Sequence, residues 1–512
     1  MFKRPASSQG VVPRKLRPSP DDEYMERLAK KFFNALNLEK QESLTRSFKA
    51  FSGGMPFGSV ISGSEIQHLA GKALFHVLRR ADESLGPEEA PYKIAYGCDT
   101  DKLRQRWFKD YIAKILSWTP WGEADLPCCF EDPSDMLRAR SSCIVHGRNC
   151  RVKRCFIVFG AVSCKDISAC KNAGSQRKSE LGGGDGATVK SFQSLLAFLE
   201  HHRCPLYIGE NIGELAEAGS SNNLSLQERF MEIDYVVGMR VFRGSSFGSP
   251  TRRERAVIVA MNSEVLGVGK QDALKIIEDI FATMQSISFE GKSPTEFMLP
   301  STHEYVLQRL EQLQAGVSRT SDGAGWREQY DKLLRSQGLR YSECVAPPDQ
   351  RASPWFASLP ERARVNLGYV LSTRPGCTSA DLGQSVGRAF VSENPNEYPT
   401  MLPKHMIWDV ELKRLVLGYE SMRMIGFDDI DLPIKDLEAA NITDTQLKEL
   451  AGTSFTGQIV MALLLSTLAN LPPLCQAIID HYALDCEPES EVEDDKDSMP
   501  SVLLDTIDRM LA

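Results

Sequence analysis

Between about residue 40 and residue 262, short apolar runs bounded by turn residues alternate with stretches whose apolar side chains recur every three or four positions. The strand candidates are Ser47–Phe51, Tyr92–Gly97, Leu126–Phe130, Cys155–Phe159, Pro205–Ile208, Tyr235–Phe242 and Ala256–Met261. Glu65–Ala81, Asp101–Leu116 and Val189–Glu200 read as helices between them. Such alternation leaves few solutions: strands buried on both faces need helices above and below, so an α/β fold with a mostly parallel sheet is expected. The last two strands, joined through Arg243–Arg255, read as a hairpin rather than a crossover.

The pattern is preceded by a helix at Asp21–Leu36 and changes after it. From 263 to 405, helical stretches (Gln271–Ser286, Thr302–Ala315, Trp326–Ser336) lie among polar, Pro-rich loops, which suggests an inserted second domain. Helical periodicity returns at Glu411–Gly426 and Ile442–Leu471. The expected organisation is a disordered basic segment over 1–20, a first catalytic part over 21–262, the insert over 263–405, a return over 406–475 and an acidic tail with a short helix over 476–512. No run of 18 apolar residues is present and residues 1–20 have no apolar centre, so a soluble chain without a secretory signal is expected. Thirteen irregularly spaced cysteines suit reduced thiols in cytosol or nucleus. A net charge of −8 argues against a purely electrostatic nucleic-acid binder but leaves room for an enzyme with a local basic cleft.

The run Cys155–Phe159 continues through Gly160-Ala-Val-Ser-Cys164-Lys-Asp-Ile-Ser168, a buried strand feeding a loop that carries a cysteine. Reactive groups in open parallel sheets sit beyond the carboxyl ends of the strands. Glycines 174, 182, 183, 184 and 186 follow, suited to a loop that closes over a substrate. Next, Tyr207-Ile-Gly-Glu210-Asn211-Ile212 puts a carboxylate and an amide just past a strand. Then Thr251-Arg-Arg253-Glu-Arg255 sets two arginines on one face of another.

These pieces, in this order, resemble the cytosine-C5 DNA methyltransferase family. Gly160, Cys164 and Ser168 match its Gly-Pro-Pro-Cys-Gln nucleophile motif, and Glu210-Asn211-Ile212 stands for its Glu-Asn-Val. Arg253 and Arg255 match its Gln-x-Arg-x-Arg. Arg414, Glu420, Gly426 and Phe427 fall at the spacing of its Arg-x-Leu-x-x-x-Glu-x-x-x-x-x-Gly-Phe, and Gly452-Thr453-Ser454-Phe455 stands for its Gly-Asn-Ser-Phe. The resemblance runs from about residue 45 to 472, omitting the insert. It implies a class I methyltransferase-type, mostly parallel seven-stranded sheet with helices on both faces and a smaller inserted target-recognition domain.

It also implies a chemistry. Cytosine C5 is a poor nucleophile until a thiolate adds to C6 and breaks the aromaticity. By resemblance Cys164 supplies that thiolate, Glu210 engages N3, Arg255 holds O2, and Arg253 supports the pair. The methyl donor, S-adenosylmethionine, is then expected against Phe51, Gly53 and Gly54 at the end of the first strand. Asp99 would face the ribose hydroxyls and Asp132 the adenine amino group, with Thr453 and Ser454 completing the site. The partner implied is double-stranded DNA with the target cytosine turned out of the helix; RNA is the alternative, through the transfer-RNA branch of the same superfamily. A third reading is a nucleic-acid-binding relative without activity.

The chain departs from the family at several points. Lys49 stands where the family has a first-strand Asp, and Met55 and Pro56 replace later glycines. Ser163 and Lys165 replace the neighbours of the cysteine. The insert carries many basic residues, Arg309, Arg327, Arg335 and Arg362 among them, together with Trp326, Trp355 and Phe356, as suits phosphate contact. Cys143-x-x-His146-x-x-x-Cys150-x-x-x-x-Cys155 has metal-like spacing, but Cys155 begins a buried strand, so ordinary thiols and no metal are expected. The basic opening segment is compatible with nuclear import; a cytoplasmic protein is the alternative.

Overall fold

The computed structural model describes residues 24–483 apart from 52–53, 62, 82–91, 114, 116–117, 120–121, 124–125, 162–185, 292, 316–324, 385–389 and 430–431. The opening basic segment and the acidic tail lie outside the described residues.

Seven strands form the central sheet: β1 (Met55–Val60), β2 (Tyr92–Cys98), β3 (Cys128–Phe130), β4 (Ile157–Gly160), β5 (Leu206–Ile212), β6 (Tyr235–Arg243) and β7 (Glu254–Asn262). Their order is β3-β2-β1-β4-β5-β7-β6. β7 runs antiparallel to both its neighbours, and the other contacts are parallel. The two-residue period sorts the side chains into two cores. Phe159, Ile208, Val257, Val259 and Met261 face one, while Val158, Tyr207, Ile258 and Ala260 face the other. The first is covered by α1 (Tyr24–Ala35), α2 (Leu38–Ala50) and α3 (Ile66–Ala81); α4 (Lys102–Trp107) follows β2. The second is covered by α5 (Ala187–His202) and α6 (Ser221–Glu232).

Six of the seven expected strands are present. The exception is the first: Ser47–Phe51 is the end of helix α2 and not a strand. Leu44, Ser47 and Phe48 recur at helical spacing on its buried face, and Asn37 caps its start by accepting from the Lys40 N–H at 2.9 Å. The true first strand, β1, contains Pro56 and Gly58, which disguise it. Gly58 is required there, because a Cβ would lie 2.6 Å from the Tyr96 ring.

The segment beyond β7 divides differently from the sequence reading. Helix α7 (Lys270–Ser286), assigned to the insert, packs on β6: its Phe281 ring lies 5.9 Å from Phe242, and Arg240 bonds Gln285 at 3.2 Å. At the other end, the boundary at 405 cuts a small antiparallel sheet of β8 (Ser379–Asp381), β9 (Val391–Ser392), β10 (Ile407–Asp409) and β11 (Arg414–Leu415). Glu411–Gly426 is thus part strand and part helix, with α8 at Gly418–Met424. The apolar stretch Ile442–Leu471 is two helices, α9 (Asp444–Thr453) and α10 (Gly457–Asn470). Every residue of α10 is buried, which accounts for its unbroken hydrophobicity.

Several contacts hold the insert to this scaffold, two of them well defined. Arg414 and Glu420 form a fully buried, bidentate pair at 2.6 and 3.0 Å, and Glu420 also accepts from the Leu299 and Leu417 N–H groups. In addition the Tyr398 N–H donates to the Pro250 carbonyl at 2.7 Å, and the Arg252 N–H donates back to the Tyr398 carbonyl at 2.9 Å.

Candidate active site

The parallel strands end together, and the chain's distinctive polar side chains collect at that edge. Gly160, the last residue of β4, pairs with Gly209 of β5, so position 164 follows four residues beyond a point beside Glu210. Cys164 itself, with the glycines 174–184, lies outside the described residues.

Glu210 lies within β5, two residues short of its end, opposite Val257 of β7. It is buried, ion-paired with Arg255 and hydrogen-bonded by two donors. Arg255 Nε lies 3.0 Å from Oε1, Arg253 Nη2 lies 3.4 Å from the same oxygen, and the Thr456 N–H donates to Oε2 at 3.1 Å. The parity of the strands explains the meeting. Residues 206, 208 and 210 of β5 and 255 and 257 of β7 share one face, with Arg253 two residues further back, and antiparallel β7 begins where β5 ends. Arg253 reaches further, donating to the carbonyls of Ala451 (3.1 Å), Gly452 (3.3 Å) and Ser454. Three residues expected to act together, Glu210, Arg253 and Arg255, are therefore in contact.

The donor-side residues divide. Asp99 follows β2 and Asp132 follows β3, and Cys98 pairs with Phe130, so the two carboxylates leave neighbouring strands at one end. Asp99 is buried and receives Arg104 Nη1 at 3.1 Å and the Asp101 N–H at 2.9 Å. Burial pushes its pKa up, against the opposing pull of Arg104. Asp132 accepts from the Ser134 N–H and hydroxyl. Thr453 ends α9 and Ser454 caps it; the Ser454 hydroxyl accepts from the Ser64 N–H at 2.9 Å.

Phe51 and Gly54 are elsewhere. Phe51 closes α2 and stacks on Phe156 at 5.1 Å in the core, and Gly54 lies before β1 rather than after it. Gly53 is outside the described residues. Phe51 and Gly54 therefore do not form the loop after β1 at which a donor was expected, and Lys49 lies on the exposed side of α2. The described residues in the expected place, between β1 and α3, are Ile61 and Gly63–Glu65, hidden in the sequence because the Pro56 and Gly58 of β1 disguise the strand before them. Ile61, Gly63 and Glu65 all have positive φ (56°, 84° and 63°). A Cβ on Gly63 would lie 3.0 Å from the Thr453 carbonyl and 3.1 Å from Ser454, so this glycine permits the close approach of the two loops. In this register Glu65 stands at one of the family's glycines. Its buried carboxylate is bonded by Gln67 at 2.5 Å, with His68 Nε2 3.5 Å away. Isolated S-adenosylmethionine would find hydroxyl and amine acceptors in Asp99 and Asp132 and a tight turn in Gly63–Ser64; these residues fit the donor better than the Phe51 segment does.

A second polar cluster joins β3 to the hairpin that follows it. The ligand atoms of Cys128, Cys143, His146 and Cys150 lie within 4.8 Å of one another. The fourth member is thus Cys128, not Cys155, which is buried just before β4.

A sheet of order β3-β2-β1-β4-β5-β7-β6, with only β7 reversed and polar groups gathered at the carboxyl ends, is a class I methyltransferase-type fold. Within it, residues 154–341 match the sequence profile of the C-5 cytosine-specific DNA methylase family. No curated protein matches the chain. Among solved structures, the Dnmt2 methyltransferase of S. pombe aligns at 12% identity over 80% of this chain and 97% of that chain, with a TM-score of 0.38. A DNMT2 variant from Spodoptera frugiperda aligns at 12% over 81% and 99%, with a TM-score of 0.36. A putative DNA modification methyltransferase from an E. coli prophage aligns at 13% over 82% and 99%, with a TM-score of 0.38.

Proposed function

We propose that this protein transfers a methyl group from S-adenosylmethionine to C5 of a cytosine in DNA, through a covalent adduct between Cys164 and C6. The observation that carries the reading is the contact of Glu210 with Arg255 at 3.0 Å, beside the strand end that leads to Cys164. A cytosine turned out of its duplex presents O2 and N3 on one edge. A guanidinium and a carboxyl side by side match that edge, Arg255 donating to O2 and Glu210 engaging N3. Charge displaced into the ring by thiolate addition is then met by groups already in position. Arg253, bonded to Glu210 and to the Ser454 turn, holds this pair rather than touching the base. Bound S-adenosylmethionine supplies the electrophilic methyl group, with Asp99, Asp132, Gly63 and Ser454 as the residues that would hold it.

The choice of DNA rests on the family profile; RNA is the competing substrate. A separate observation favours a relative that binds nucleic acid without methylating it: Glu65 occupies a left-handed position at which the family keeps glycine. One experiment addresses all three readings. The protein is incubated with S-adenosylmethionine and duplexes containing 5-fluorocytosine, as DNA and as RNA. A stable adduct on DNA, lost in Cys164→Ala, supports the proposal. An adduct on RNA alone reassigns the substrate. No adduct on either, with no calorimetric binding of the donor at millimolar concentration, establishes the inactive reading.

A further inference from the structure

We infer that Cys128, Cys143, His146 and Cys150 bind one structural zinc ion, which ties the start of β3 to the hairpin that leads into β4. Cys128 opens β3, while the other three belong to the hairpin Arg140–Cys143/Arg148–Arg151. The hairpin turn Cys143-Ile-Val-His146-Gly147 is closed by the Gly147 N–H donating to the Cys143 carbonyl at 2.8 Å, with Gly147 at a φ of 64°. That turn folds His146 back over the two strands, and its Nδ1 lies 3.2 Å from Cys143 Sγ, 3.4 Å from Cys150 Sγ and 3.6 Å from Cys128 Sγ.

Hydrogen bonding among neutral groups does not account for this convergence. An imidazole Nδ1 has one lone pair or one proton, so it satisfies one thiol and not three. A metal ion does account for it. Zinc at about 2.3 Å from sulfur and about 2.0–2.1 Å from nitrogen, in tetrahedral geometry, sets sulfur and nitrogen roughly 3.6 Å apart. The three distances cluster near that value. Four protein ligands leave no open position, which is the signature of a structural rather than a catalytic site.

The surroundings suit the charge that such a site carries. Three thiolates and one divalent ion sum to −1. Between positions 138 and 155 there are six Arg and Lys residues and no Asp or Glu. The Cys129 N–H also points at Cys143 Sγ at 3.4 Å, and the Ile144 N–H bonds the Cys129 carbonyl at 2.8 Å, so the sheet edge and the hairpin are already in register around the ligands. Cys128 and Cys143 are buried while His146 and Cys150 are half-buried, which leaves the site accessible for loading.

The full chain, made in zinc-supplemented cells and purified reduced without chelator, is expected to carry about one zinc ion by elemental analysis. Cys143→Ser and Cys150→Ser should lower this at least ten-fold, while Cys344→Ser, remote from the cluster, should not. Replacing zinc by cobalt should give visible ligand-field bands and a thiolate-to-cobalt charge-transfer band. Should the serine variants fail to fold, the cobalt spectrum of the unaltered chain and zinc release on thiol modification still decide. Less than one tenth of an ion per chain with no cobalt bands, whether the sulfurs are free thiols or disulfides, overturns the assignment. So does metal content unchanged in both serine variants.

Discussion

Arg253 lies between Glu210 and Ser454, its Nη2 shared by the carboxylate of one and the carbonyl of the other. Ser454 in turn accepts from the Ser64 N–H. One guanidinium thus joins the proposed base-binding carboxylate to the turn proposed to hold the donor. Arg253→Ala should loosen both: donor binding should weaken roughly ten-fold or more, since several hydrogen bonds to a charged donor are lost together. Calorimetry with S-adenosylmethionine and with its demethylated product measures this, and a variant that binds both normally would contradict it.

Glu210→Gln keeps the shape of the side chain and removes its charge. Methyl transfer should fall by about 100-fold or more, as for loss of a general acid or an aligned charge. Folding should persist, because Gln still accepts from the Thr456 N–H. Incorporation of labelled methyl groups into cytosine, read beside a thermal melt, separates loss of chemistry from loss of structure.

Gly63→Ala tests the turn after β1. At a φ of 84°, with a Cβ set 3.0 Å from the Thr453 carbonyl, the substitution should cost about 1–3 kcal/mol in the turn. It should weaken donor binding more than it lowers overall stability. An alanine variant with unchanged donor affinity would show that this turn is not the donor site.

The Arg414–Glu420 pair is fully buried, so Arg414→Met strands a carboxylate without its counter-charge. A loss of about 3–5 kcal/mol is expected from urea unfolding, and the further change Glu420→Leu should recover a large part of it.

His68 and His405 are both buried, and burial lowers each pKa to about 3 from the usual 6.5; Lys448 adds to the effect at His405. The unfolded chain therefore takes up protons at these positions between pH 6.5 and about 3 while the folded one does not. Stability contributed by the neutral rings is complete above pH 6.5 and declines as pH falls through this window, by about 1.4 kcal/mol per unit for each histidine. Denaturation midpoints measured from pH 7 to 5 should show this slope, and His405→Gln should reduce it by about half.

Most of the sheet was legible because β2 to β7 are short apolar runs between unambiguous helices. The register of β1 was not. Phe48 and Phe51 satisfy both a strand-like apolar run and a helical spacing, and the pattern of Leu44 and Ser47 on the buried face decides for the helix. Pro56 and Gly58 meanwhile remove the β signature from the real strand. The loop expected to hold the donor moves with the strand, from Phe51 to Gly63. Glu210, Arg253 and Arg255 were readable because strand parity puts them on one face whatever the loops do. The metal-like cluster was half visible: three ligands share a hairpin, whereas Cys128 joins them only through the pairing of the hairpin with β3, which local spacing does not encode.

The backbone exchange between Tyr398 and the segment Pro250–Arg252 has a mechanical consequence. Arg253 is the next residue along, and Arg255 follows two later. The insert thus meets the main chain immediately before the two arginines. The peptide that bears both arginines is therefore anchored on two sides, by β7 and by the insert.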